Sequence, residues 1–354
     1  MSLTVLSVAY PFAPVSRDAV GGAEQVLSHL DEALSAAGCR SIVVACEGSR
    51  ASGVLMPVSA FTDPADEQTR GQAYEAQRRA VALALRRWPV DLIHMHGLDF
   101  SNYLPPPGLP VLVTLHMPIS WYPAEALRPL RPDTWFNCVS RQQHEACPRV
   151  PGLLAPIENG VPIPDAVTAS AKSGFCLVLS RICPEKGIHV AIEAAKRANV
   201  SLLIAGQVFD YPDHRRYFEE EVVPRLDHRR RFIGPVGFAQ KQRLLAAARC
   251  VLVPSLAPET SSLVAREALA AGTPVVAMGT GALAETVEHG RTGFLVRDEQ
   301  EMAAAIGGVA EIDPAVCRAV AEARFSVEQM VARYLDLYRR LARSEPAAAA
   351  GSVP

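Results

Sequence analysis

Short apolar runs and longer amphipathic stretches alternate along the chain. Leu3 to Ala9 is a β-rich run that ends in a Pro-containing loop, Tyr10 to Val20. Gly21 and Gly22 then open a stretch with apolar positions at Val26, Leu27, Leu30 and Leu34, the spacing of one helix face, which Gly38 stops. Ser41 to Ala45 predicts a second strand, Asp66 to Trp88 a long helix, and Val90 to Met95, Val111 to Leu115 and Trp135 to Val139 further strands. Strands that are apolar almost throughout, separated by helices, predict parallel sheet covered on both faces.

From Ile163 to Gly174 the rhythm lapses into small, polar, Pro-containing sequence without periodicity, the pattern of an interdomain linker. It then restarts, with strands predicted at Phe175 to Leu179, Val200 to Ala205, Arg231 to Ile233, Cys250 to Val253, Pro274 to Ala277 and Phe294 to Val296. A last amphipathic helix runs from Val327 to about Arg343, with Met330, Tyr334, Leu337 and Leu341 on one face, and the Ala-rich tail after it is expected to fray. The expectation is an α/β protein of two doubly wound, Rossmann-like domains facing a cleft, divided as 1–165 and 166–326. The helix 327–343 would pack back on the first domain, followed by a tail, 344–354. Such sheets bind ligands at the carboxyl ends of their strands.

Composition narrows the functional classes. The 354 residues are 49% apolar and 20% charged, which excludes a disordered or collagen-like chain. The formal net charge of -2 argues against general electrostatic binding to nucleic acid. The basic pairs Arg78-Arg79 and Arg86-Arg87 lie among Asp66, Glu67 and Glu75 and read as a solvated helix face rather than a membrane contact. The N-terminus lacks the features of a secretory signal, and no apolar run approaches the ~20 residues of a membrane span, so a cytoplasmic protein is expected. The 8 cysteines form no C-x-x-C and several sit in apolar runs, as buried reduced thiols do.

The densest chemical signal lies between Pro254 and Ala277. Glu259 follows a buried strand in a loop, a helix is predicted to start near Ser261 or Ser262, and Glu267 is placed about two turns into it. A helix N-terminus offers unpaired N–H groups and a positive dipole end, so main chain at Ser262, Leu263 and Val264 suits a diphosphate. Glu267 could then accept hydrogen bonds from two ribose hydroxyls, and Glu259 could reach a group attached to the phosphates. Two glutamates at this spacing would, by themselves, read more simply as surface carboxylates of an ordinary βα unit.

Together with the segment Glu267-Ala268-Leu269-Ala270-Ala271-Gly272-Thr273-Pro274-Val275-Val276, however, they resemble the retaining glycosyltransferases of family 4, which have the two-domain fold called GT-B. In that family a strand, a loop ending in E-x7-E and a segment EA-x-A-x-G-x-PVV follow one another. Glycine is common at the position held here by Ser262. The resemblance implies further roles. Arg181 and Lys186, in "LSRICPEKG", match an R-x4-K whose cations stabilise the leaving diphosphate. Gly21 and Gly22, in "GGAEQ", match a glycine loop whose main chain approaches the donor phosphates. His116, in "TLHMP", matches a strand-end histidine near the transferred sugar, and "IENGVP" from Ile157 to Pro162 matches the segment entering the linker. Main chain at Val236 and the stem of Lys241 match the stretch lining the nucleotide base, and Gly279 to Glu285 a turn near the donor.

Two other motifs mimic functional sites. His94 and His96 share a strand face, as metal ligands can, but no third ligand accompanies them. "GTGALA" mimics a dinucleotide fingerprint, yet no acidic residue ends a following strand at the right distance. The expectation is thus a metal-independent, retaining transferase using a UDP- or GDP-linked sugar and no cofactor, with a small-molecule, glycan or lipid-linked acceptor. Metal independence has its own support, because the chain contains no D-x-D. Glu259, His116, Arg181 and Lys186 are the candidate catalytic residues. The acceptor is expected on the loops Tyr10 to Val20, Gly97 to Pro107 and Met117 to Pro132. A sugar-nucleotide 2-epimerase, an inert sugar-nucleotide-binding protein and a dehydrogenase are the competing readings.

Overall fold

A computed structural model describes residues 3–61, 66–164 and 172–343. The chain divides into two compact units, one formed by residues up to Glu158 and from Met330 onward, the other by Asn159–Gln329. The predicted linker falls partly, and the predicted tail wholly, outside the described residues.

The first unit is built on six parallel strands: β1 (Thr4–Val8), β2 (Arg40–Cys46), β3 (Val54–Val58), β4 (Leu92–Met95), β5 (Val111–Leu115) and β6 (Thr134–Cys138). They are ordered β3-β2-β1-β4-β5-β6. Every residue of β1, β4 and β5 is buried, as expected of central strands covered on both faces by helices α1 (Gly22–Ala36) and α2 (Glu67–Arg87) and their neighbours. Asp66 caps α2 by accepting from the Thr69 amide at 2.6 Å. A short helix, α3 (Arg141–Ala146), follows β6. Strand β3 is absent from the pattern reading because it carries Pro57 and lies half exposed at the sheet edge, where a missing N–H costs no ladder bond.

The second unit repeats the plan with β7 (Phe175–Leu179), β8 (Ser201–Ala205), β9 (Arg230–Gly234), β10 (Cys250–Val253), β11 (Val275–Met278) and β12 (Gly293–Val296). Their order, β12-β11-β10-β7-β8-β9, is that of the first sheet. Between and after them come α4 (Ile188–Arg197), α5 (Pro212–Tyr217), α6 (Phe238–Ala247), α7 (Leu263–Ala270), α8 (Leu283–Thr286), α9 (Glu299–Gly308) and α10 (Pro314–Arg324). In both sheets the strand order reverses beside the first strand, which is where doubly wound sheets bind ligands.

The final helix, α11 (Val327–Arg343), belongs to the first unit from Met330 on. Its buried face sends two tyrosine hydroxyls under the sheet. Tyr338 Oη lies 2.7 Å from His94 Nδ1, and Tyr334 Oη accepts from Asn137 Nδ2 at 3.1 Å. The eight cysteines make no disulfide. No helix among the described residues is long and apolar enough to cross a membrane.

Candidate active site

In the second unit the chain leaves β7 through Ser180 and Arg181 and turns at once into a short 3-10 helix, Pro184–Lys186. Gly187 ends that turn in a left-handed conformation (φ 59°), and a Cβ there would lie 2.3 Å from the Pro254 carbonyl. Only glycine fits, so the turn seats directly on the loop that leaves β10. This loop carries Glu259. It is tied at its far side to the Gly279–Ala284 turn, where the Ala282 amide donates to the Glu259 carbonyl at 2.8 Å. Gly281 (φ 56°) passes so close that a Cβ would sit 2.5 Å from the same oxygen. The glycine run that mimics a dinucleotide fingerprint is therefore a support for Glu259.

These supports bring Lys186 and Glu259 together. Lys186 Nζ donates to Glu259 Oε1 at 2.5 Å, and the Ser255 hydroxyl donates to the same oxygen. Burial alone would push the Glu259 carboxyl up. The adjacent Lys186 ammonium, the Ser255 hydroxyl and the charge of Arg181 together hold it below the usual carboxylate range, so it is ionised at neutral pH. Arg181 itself makes no ion pair within 4.0 Å among the described residues. An anion held between its guanidinium and Lys186 would meet two cations on the loop after β7.

Helix α7 begins immediately beyond. Ser262 occupies its N-cap position with φ 54° and ψ 71°, a left-handed conformation, and makes no side-chain cap. Leu263 and Val264 are the first two helical residues. Glu267 is the fifth, little more than one turn in rather than about two. Its carboxylate is 5% exposed and accepts from Lys241 Nζ at 2.6 Å. Lys241 reaches it from α6, with its ammonium 5.6 Å from the Phe238 ring. Val236, in the loop before α6, packs on the core of this unit. The Ser261 hydroxyl is buried at the helix start with no hydrogen-bond partner among the described residues.

Sequence reasoning missed one side chain here. Arg266 is fully buried in α7, donates to the Asn159 carbonyl and stacks 4.6 Å from the Phe325 ring. It ties the helix to the "NGVP" segment, and its only signal in the sequence is an arginine at a position the helix buries.

In the first unit His116 stands at the carboxyl end of β5, 7% exposed. Gln143 Nε2 donates to the carbonyls on either side of it, Leu115 and Met117, each at 2.8 Å. His116 Nε2 faces His96 Nδ1 at 3.0 Å, with the rings stacked at 21°. Burial pushes His116 down to about 3, so its imidazole is neutral. His94 and His96 do share a face, with ring centroids 3.9 Å apart, but both His94 nitrogens meet hydroxyls at 2.7 Å, Tyr338 and Thr114. Gly21 is the N-cap of α1 and Gly22 its first residue. A Cβ on Gly21 would lie 1.9 Å from the Glu24 carboxylate, which folds back over the helix start. On the loops expected to meet the acceptor, Val20, Trp121 and Leu130 are exposed apolar side chains.

Both halves of the chain, each with its strand-loop-helix turns, match known proteins. Residues 20–152 match the profile described as Glycosyltransferase Family 4, and residues 174–311 that of Glycosyl transferases group 1. A D-inositol 3-phosphate glycosyltransferase of Nocardioides sp. is 44% identical over 122 residues, 32% of this chain and 26% of that relative's length. Glycogen synthase of Mycobacterium tuberculosis is 27% identical over an alignment of 380 positions, covering 91% of this chain and 89% of that one. Among solved structures, AviGT4, a glycosyltransferase involved in avilamycin A biosynthesis, superposes with a TM-score of 0.72 at 24% identity, covering 97% of this chain and 99% of that one. HepE of Anabaena, in complex with UDP and glucose, superposes with a TM-score of 0.72 at 21% identity, covering 95% and 99%. With both halves matched in sequence and the GT-B fold matched in structure, the chain belongs to the family 4, group 1 glycosyltransferases.

Proposed function

We propose that the protein transfers a sugar from a nucleotide-diphosphate donor to an acceptor hydroxyl, with retention of anomeric configuration and without a metal ion. The observation that carries this reading is the Lys186–Glu259 pair beside the start of α7. An anion and a cation in contact, both mostly withdrawn from water, suit a substrate that separates charge. As the glycosidic bond breaks, negative charge grows on the phosphate and positive charge on the sugar ring. Lys186 and Arg181 take the first, and Glu259, kept ionised by Ser255 when Lys186 turns to the phosphate, takes the second. The amides of Ser262, Leu263 and Val264 bind phosphate oxygens.

Glu267 holds the ribose. The Lys241 ammonium holds the Glu267 carboxylate in place, and main chain at Val236 and the stem of Lys241 line the base. In the first unit His116 offers a neutral, hydrogen-bonding imidazole rather than a cation. The cations and the helix dipole do what a divalent ion does in other transferases. The attack follows the front-face course that the family resemblance implies, with the leaving phosphate helping to deprotonate the acceptor.

A thermal-shift panel of nucleoside diphosphates and sugar nucleotides tests the reading. A true donor at 100 times its Kd adds about 2.7 kcal/mol to the stability of the folded state. No response to any UDP, GDP or ADP compound or sugar conjugate would remove the proposal's basis.

A further inference from the structure

Three side chains beside the Lys186 turn take no part in the chemistry above. Cys183, Glu185 and His214 place a thiol sulfur, a carboxylate oxygen and an imidazole nitrogen all within 4.8 Å of one another. Cys183 is 1% exposed. His214 Nδ1 is buried and has no hydrogen-bond partner among the described residues. The His214 ring is held between aromatic edges, 5.0 Å from Tyr211 and 6.4 Å from Phe209. Glu185 is anchored through its own carbonyl, which accepts from the Leu256 amide at 2.8 Å. A thiol, an imidazole and a carboxylate converging from a turn and from α5 are the mixed donor set of a borderline-soft cation, not of magnesium or calcium.

We propose that Cys183, Glu185 and His214 bind a zinc ion, with water as fourth ligand, and that the ion braces the turn that carries Lys186. Zinc–ligand bonds of about 2.0–2.3 Å put tetrahedral donor atoms roughly 3.5 Å apart, so the three groups need to close by only about 1 Å. As the zinc–sulfur bond forms, Cys183 releases its proton to solvent. The resulting thiolate and the Glu185 carboxylate offset the two positive charges of the ion. Arg181 is the charge that opposes binding. Burial and Arg181 both lower His214, leaving the imidazole in the neutral, ligating form, whereas burial pushes the Cys183 thiol up to about 11, so the metal must displace its proton. The ion contacts no reacting group: it steadies the turn and takes no part in the transfer itself.

Metal binding, not turnover, is the readout. Tag-free protein stripped with chelator should take up one equivalent of Co²⁺ with a thiolate-to-metal charge-transfer band, and Zn²⁺ but not Mg²⁺ should displace it. Cys183→Ser should abolish the band. His214→Ala should weaken zinc binding by at least about 100-fold, since even groups that only support a ligand cost 10- to 100-fold. Absence of stoichiometric Co²⁺ uptake by the folded protein overturns the proposal, as does a band that persists in Cys183→Ser. Should Cys183→Ser not fold, His214→Ala and Glu185→Gln, both at partly exposed positions, decide by the same titration: unchanged zinc affinity in both overturns it.

Discussion

Replacing Glu259 by glutamine keeps the shape of the side chain and removes its charge. If the carboxylate stabilises a cationic sugar ring, its contribution grows toward the transition state. Glu259→Gln should then lower kcat about 10²- to 10³-fold with little change in the KM for donor. Were its task only to hold Lys186, the loss would appear chiefly in KM. Steady-state kinetics with varied donor separates the two. Lys186 has the converse test in pH. With its pKa held below the ordinary value, Glu259 contributes stability that is present above about pH 4.3, the unfolded carboxyl's value, and is lost as pH falls through the lower folded value. Lys186→Met removes the main opposing cation and leaves burial, so the acid loss of stability should move to higher pH. Melting curves between pH 3 and 7 that coincide for wild type and variant would contradict this account of the pair. Glu259 and Lys186 were both legible as residue types in a motif. Their contact was not, because it spans 73 residues of sequence and depends on Gly187 and Gly281 seating two loops together.

At the scale of single elements, α7 shows what a sequence pattern leaves out. The helix was foreseen, but its N-cap conformation was not. Ser262 sits at φ 54°, a region that disfavours side chains by about 1–2 kcal/mol and that glycine adopts without strain. Ser262→Gly should therefore stabilise the second unit by about 1 kcal/mol, raising its melting temperature by roughly 2–4 °C. A fall in melting temperature would mean that the serine makes a contact worth more than the strain. Glu267 needs care as a test, since an alanine there strands the Lys241 ammonium in a nearly buried place. Glu267→Gln keeps a hydrogen-bond acceptor and should weaken donor binding about ten- to hundred-fold, the worth of a charge-assisted hydrogen bond, while leaving kcat nearly unchanged. Isothermal titration with the nucleoside diphosphate reads this directly. In the first unit, buried neutral imidazoles at the ends of β4 and β5 set an acid limit. Burial lowers His116 to about 3, so the stability its neutral form contributes is full above about pH 6.5 and falls as pH drops from there toward 3. His116→Gln should flatten that part of the melting-temperature profile. Strand β3 escaped the pattern because an edge strand with a proline lacks the apolar continuity by which the central strands declare themselves.

At the scale of the whole molecule, the repetition of one strand–helix plan in two halves was legible because parallel sheets buried on both faces leave uninterrupted apolar runs, whereas the strand order that the two sheets share was not, because pairing between strands leaves no mark on those runs. Strands such as β7 and β10 and the helix α11 lie within a residue of where the pattern places them, the last with its Met330, Tyr334, Leu337 and Leu341 face buried as read. The hydroxyl network under that helix was not legible, since Tyr338 and His94 lie 244 residues apart. If Arg181, Lys186 and the helix dipole replace a divalent cation, turnover should persist in excess EDTA, with or without zinc at Cys183, Glu185 and His214. Activity abolished by EDTA and restored by Mg²⁺ or Mn²⁺ would contradict it. The most direct measurement of the central claim is the ¹H NMR spectrum of product formed from the donor that the thermal-shift panel selects, with the anomeric coupling read before any mutarotation. An α-configured donor should give an α-linked product, and a β-linked product would contradict the account.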